Sequence, residues 1–125
     1  MSILAQATKP TPRAPILTIA GFPGTGKTTL GAMFPNPIFI RAEDGGAVFD
    51  NWGDKAPALL PVLPDPRGSS VSTKEAILEQ LRALATEEHD YKTVVIDSIT
   101  ALNLKFEKEI IERENADPMS RRKIS

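Results

Sequence analysis

Residues 21–29 read GFPGTGKTT, and the first eight fill the pattern G-x-x-x-x-G-K-[ST] at every fixed position. Each fixed position does one physical job. Gly21, Gly24 and Gly26 let the backbone take turns that a Cβ would hinder, so successive N–H groups can point inward around a phosphate. Thr25 sits among them, and Lys27, Thr28 and Thr29 are expected to open a helix whose unpaired N–H groups add to the anion site. Lys27 offers a full positive charge to β- and γ-phosphates, and the Thr28 hydroxyl is suited to ligate Mg²⁺. At ordinary residue usage, a chance match in a chain this long is on the order of 0.5%.

The flanks supply the context this loop needs. Residues 16–20, ILTIA, form a short apolar and β-branched run that predicts a buried parallel strand leading into the glycines. After the loop, Leu30, Ala32, Met33 and Phe34 predict an apolar helix face, and Pro35 ends the helix. Phe22, inside the loop, could shield the phosphates or pack beneath the loop, and packing is the expectation.

At 125 residues the chain is one domain at most. A hydrophobic fraction of 41% and a charged fraction of 25% are ordinary for a globular protein. The net charge of −1 gives no global attraction to nucleic acid or anionic membrane, so any DNA contact would need a local basic patch. With no cysteine, disulfides and thiolate metal sites are excluded. The opening residues, MSILAQATK, lack the basic and apolar regions of a signal peptide, and no apolar run approaches the ~20 residues of a membrane helix. The expectation is a soluble, cytoplasmic protein without a membrane partner.

Residues 1–14, rich in Ala, Thr and Pro, are expected to be a flexible tail, with the folded core over 15–125. Residues 38–40 predict a second strand behind the breaker Pro35–Asn36–Pro37, followed by a polar loop, RAEDGG. Leu59, Leu60, Val62 and Leu63 predict a third strand, which Pro61 confines to a sheet edge. PDPRGSS is a loop, after which Ser72 with Glu75 reads as a capping box. The helix it opens carries Ile77, Leu78, Leu81, Leu84 and Ala85 on one stripe. Residues 93–96 predict a fourth strand, and a helix from Leu102 to Asn115 places Leu102, Phe106 and Ile110 on one face. Strands alternating with helices predict an α/β fold with a mainly parallel sheet and helices on both faces.

The fourth strand runs straight into Asp97, and ligands of such sheets gather at the carboxyl ends of strands. A carboxylate there can hold Mg²⁺ beside a phosphate loop. Glu43 follows the second strand at another carboxyl end, where it could orient and deprotonate a water for in-line attack; it also reads as part of a solvated turn with Asp44, Gly45 and Gly46. His89, in the polar run EEHDYK, is expected to be an exposed loop residue, and Lys55, Arg67 and Arg82 solvated charges.

The segment VVIDSITAL, residues 94–102, resembles the acidic strand and following turn of the RecA-like P-loop ATPases. IFIRAEDGG, residues 38–46, resembles their second strand, in which a Glu after a short apolar run is the water-activating base. GFPGTGKTTLGAMFPNPIFI is similar to short phage-encoded RecA-like ATP-binding proteins linked to single-strand DNA annealing and recombination. Together the three motifs span residues 15–103. The resemblance implies a RecA-like P-loop NTPase that binds and hydrolyses Mg²⁺·ATP in a bacterial or phage-infected cell. Lys27 and Glu43 are then catalytic, with Gly21, Gly24, Thr25, Gly26, Lys27, Thr28 and Thr29 on the nucleotide and Thr28 and Asp97 on the metal. In that family a later strand inserts between the Asp strand and the phosphate-loop strand, so the resemblance also implies the N-terminal part of a longer protein. The family's DNA-contacting loops also lie after the Asp strand. Single-stranded DNA is thus an implied partner, with Arg121, Arg122 and Lys123 the only basic cluster pointing to it, and a homo-oligomer stays open. The alternatives are a nucleoside or nucleotide kinase and a non-catalytic nucleotide-binding fragment. A GTPase is disfavoured, because Asp97–Ser98–Ile99–Thr100 lacks D-x-x-G and no N-K-x-D occurs.

Overall fold

Three of the apolar runs become neighbouring strands of one parallel sheet in the computed structural model, which describes residues 2–64, 68 and 70–117. In chain order the main elements are α1 (Lys27–Ala32), β1 (Pro37–Arg41), β2 (Ala58–Leu59), α2 (Thr73–Thr86), β3 (Thr93–Asp97) and α3 (Ile99–Ala116). The strand order is β2-β1-β3. As the central strand, β1 is apolar on both faces, and Ile38, Phe39 and Ile40 are all buried. Pro37 is tolerated at its first position, where the missing N–H costs least. The β1–β3 register pairs Ile38 with Val94, Ile40 with Ile96 and Arg41 with Asp97. One further hydrogen bond, from Ala42 N–H to the Asp97 carbonyl at 2.9 Å, extends the ladder past the strand ends.

The third expected strand lies at the sheet edge and is shorter than its apolar pattern. Only Ala58 and Leu59 pair regularly with β1; Leu60 supplies the next inward donor, so the N–H that Pro61 lacks falls on the open side of the edge strand. The chain still follows β1: Leu60 N–H donates to Phe39 O at 3.0 Å and Leu63 N–H to Arg41 O at 2.8 Å.

Both faces of the central strand, β1, are covered. On one, Ile40, Ala42 and Leu63 pack with Ile77 of α2 and Leu102 of α3. On the other, Phe39 packs with Ala32 of α1 and with Phe49, which a 3-10 turn at Gly46–Phe49 turns inward. Ser72 caps α2 by accepting from Glu75 N–H at 3.1 Å. The buried Thr73 then ties α2 to its surroundings, its N–H donating to Glu109 of α3 and its hydroxyl to Pro64 O at 3.2 Å.

Several expectations are corrected. Residues 16–20 are not a strand, and Ile16 is 97% exposed. A strand needs a neighbour to satisfy its N–H and C=O groups, and among the described residues none lies beside this segment or beyond the outer edge of β3. Val94 and Ile96 of β3 remain exposed. Phe22 does not pack under its loop but stands 84% exposed. The buried face of α1 is Gly31 and Ala32, with Leu30 and Met33 in solvent. Leu78, Leu81 and Ile110 are likewise exposed, since α2 and α3 bury only the part of each stripe that meets β1 and the Leu60–Leu63 segment after β2. The tail contains one short 3-10 turn, Ile3–Gln6, fully exposed. Most of the PDPRGSS loop, including Arg67, and the cluster Arg121, Arg122 and Lys123 lie outside the described residues.

Candidate nucleotide site

The loop at residues 21–26 turns into α1 through two glycines in the left-handed region, Gly24 at φ +82° and Gly26 at φ +92°. Side chains with a Cβ disfavour both conformations, which explains the fixed Gly26 and the glycine this chain also carries at the free position 24; at the other fixed position, Gly21, a Cβ would come 2.9 Å from Thr25 Oγ1. Thr25 pins the turn from within, its hydroxyl donating to Phe22 O at 2.8 Å. Lys27 curls back over the loop, its ammonium donating to the Gly21 carbonyl and, at 3.4 Å, to that of Phe22. With only six residues in α1, anion binding would rest on the loop N–H groups and this ammonium more than on a helix dipole.

One contact joins the loop to the sheet. The Thr28 hydroxyl, in the first turn of α1, donates to Asp97 Oδ2 at 2.8 Å, bringing together residues 69 positions apart. Packing places them there: Gly31, one turn further along α1, lies so close to β3 that a Cβ would come 3.1 Å from Val95 Cγ1. A larger residue would hold the helix, and Thr28 with it, away from Asp97.

Thr28 and Asp97 line a cavity of about 140 Å³, shared with Glu43, Arg41, Gly46 and Phe49. Glu43 stands two residues beyond β1 on an exposed loop. That loop is braced from below by Phe49, whose ring meets Phe39 edge-on at 5.6 Å and Trp52 at 4.9 Å. The structure thus brings Thr28, Asp97 and Glu43 to one cavity. Gly21, Gly24, Thr25, Gly26, Lys27 and Thr29 stay on the loop and helix start beside it.

Thr28 and Asp97 offer hard oxygen donors in contact, which suits Mg²⁺. Among the described residues, no three His, Cys, Asp or Glu side chains come together as a metal cage. A cation here would therefore draw its other ligands from phosphate and water, as Mg²⁺ does when it arrives with a nucleotide.

His89 is an exposed loop residue, as its polar neighbours predict; Leu84 O lies 2.7 Å from Nε2, and Nδ1 accepts from Tyr91 N–H at 3.1 Å. Sequence reasoning missed Arg41, Phe49 and Trp52. Phe49 and Trp52 are spaced three apart just after two glycines, a pattern that reads as loop until Phe39 provides a partner. For Arg41 the available signal was its place at a strand end, two residues before Glu43.

Among the described residues, no helix is long and apolar enough to cross a membrane. No curated protein and no solved structure matches the chain. A family model described as an AAA domain matches residues 13–118, which take in the loop, all three strands and α3. Its span and the loop-to-sheet architecture agree: the chain belongs to the AAA domain family of P-loop nucleotide-binding ATPases.

Proposed function

We propose that this chain binds Mg²⁺·ATP and hydrolyses it, acting as a RecA-like ATPase in phage-type DNA recombination or single-strand annealing. The observation that carries the catalytic part is the Thr28–Asp97 contact, which sets a hydroxyl and a carboxylate side by side where the phosphate loop meets the sheet. Loop N–H groups from Gly24 to Thr29 surround the β-phosphate, and Lys27 exchanges the Gly21 and Phe22 carbonyls for phosphate oxygens. Thr28 and Asp97 hold Mg²⁺, which neutralises charge on the β- and γ-phosphates when bound. Glu43 orients a water against the γ-phosphorus and takes its proton as the bond to the leaving β-phosphate oxygen breaks, giving ADP and inorganic phosphate.

Lys27→Ala removes the main counter-charge, so ATP binding measured by calorimetry should weaken by about 2–3 kcal/mol. Unchanged affinity would remove the loop from the site. Glu43→Gln keeps the shape and loses the base, so binding should persist while steady-state turnover falls by ~10²–10⁴. If turnover survives there and disappears in Asp44→Asn, the neighbouring carboxylate is the base.

The DNA role is supported by the resemblance over residues 15–103, two of whose motifs fall on the neighbouring strands β1 and β3. Single-stranded DNA is the expected effector and partner. Faster hydrolysis in its presence separates this reading from a nucleoside or nucleotide kinase, which would instead transfer the phosphoryl group to a small acceptor.

A further inference from the structure

We propose that Arg41 contacts the terminal phosphate and lets the site tell a nucleoside triphosphate from a diphosphate. The inference rests on the nucleotide-site reading above and adds a residue that neither the motif nor the resemblance assigns. Arg41 is the direct register partner of Asp97. Paired residues of adjacent strands project from the same face, so Arg41 and Asp97 share the face that α1 covers. Its side chain is only 16% exposed and lines the same cavity as Thr28, Asp97 and Glu43.

The guanidinium is anchored at one end and weakly held at the other. Arg41 Nε donates to Leu60 O at 3.0 Å, which fixes the stem against the edge of the sheet. Nη1 reaches Asp44 at 3.5 Å, a loose ion pair whose carboxylate partner is 80% exposed. Such a solvated pair contributes little. A planar fork in a half-buried cavity, with weakly engaged N–H groups, is suited to bidentate recognition of phosphate. Gly46 makes room for it: a Cβ there would fall 2.9 Å from Nη1. Thr28 and Glu43 both line this cavity, and on the nucleotide-site reading the last phosphate of a triphosphate would reach into it. A diphosphate would leave Arg41 on Asp44.

The test is calorimetric affinity for adenosine 5′-(β,γ-imido)triphosphate and for ADP, each with Mg²⁺. In Arg41→Gln, triphosphate affinity should fall about 10–100-fold and ADP affinity should stay within about 3-fold. In Asp44→Asn, which frees the guanidinium, triphosphate affinity should rise about 2–5-fold, with ADP again unmoved. A wild-type chain that binds neither nucleotide would sink the nucleotide reading and this inference together. Wild-type binding with an unchanged triphosphate-to-diphosphate ratio in Arg41→Gln would overturn this inference alone. Should Arg41→Gln fail to fold, Asp44→Asn decides: unchanged or lower triphosphate affinity contradicts the role of Arg41.

Discussion

The carboxylate side and the phosphate-loop side of this site are built to different standards. Asp97 ends a strand paired residue for residue with β1, whose Phe39 and Ile40 are almost fully enclosed. Residues 16–26, which lead into and form the loop, are exposed throughout and belong to no regular element. What connects the two is narrow: Gly31 and Ala32 of α1 against the sheet, and the Thr28–Asp97 hydrogen bond. The difference teaches that a phosphate-binding motif specifies its own turn but not its anchorage. Gly24 and Gly26 need only local backbone freedom. A strand leading into them needs a neighbour.

The sharpest way to break that comparison is a pair of truncations measured by chemical denaturation. Phe39→Ala should cost about 3–5 kcal/mol, since it empties the centre of the core around Ala32 and Phe49. Ile16→Ala should change stability by about 0.5 kcal/mol or less, because that side chain has little burial to lose. A loss of about 2 kcal/mol or more at Ile16 would mean that residues 16–20 pack as a strand after all.

A smaller effect should appear at the hinge between the halves. Gly31→Val adds bulk where a Cβ would already stand 3.1 Å from Val95 Cγ1. It should destabilise the fold by about 1–3 kcal/mol. By pushing α1 off β3, it should also weaken Mg²⁺·ATP binding. Stability lost with nucleotide affinity retained would show that the loop holds its place without α1.

Much of the architecture was legible in the sequence, and the failures share a cause. The apolar runs at 38–40 and 93–96 became β1 and β3 because they pair with each other, and Ser72 capped α2 because capping is decided within four residues. Pro61 announced the edge position of β2 but not its shortness. The run at 16–20 is apolar and β-branched like the runs that became strands, but among the described residues it gained no partner, a fact no local pattern contains. Helix stripes were legible as patterns, yet which of their residues became buried depended on how far the sheet extends: Ile77 and Leu102 meet it, Leu81 and Ile110 do not. At the site, Thr28, Asp97 and Glu43 could be named from motif and strand ends. For Arg41 the strand-end position was legible, but its relevance comes from the register opposite Asp97 and from the space Gly46 leaves.

The central claim is that Thr28 and Asp97, meeting at 2.8 Å, join the two halves into one metal–nucleotide site. Its most direct test is ATP affinity with and without Mg²⁺, in the wild type and in Asp97→Asn. The account predicts that Mg²⁺ strengthens wild-type binding by about tenfold or more, and that Asp97→Asn loses this gain while its Mg²⁺-free affinity stays the same or improves. An equal gain from Mg²⁺ in both proteins would contradict it.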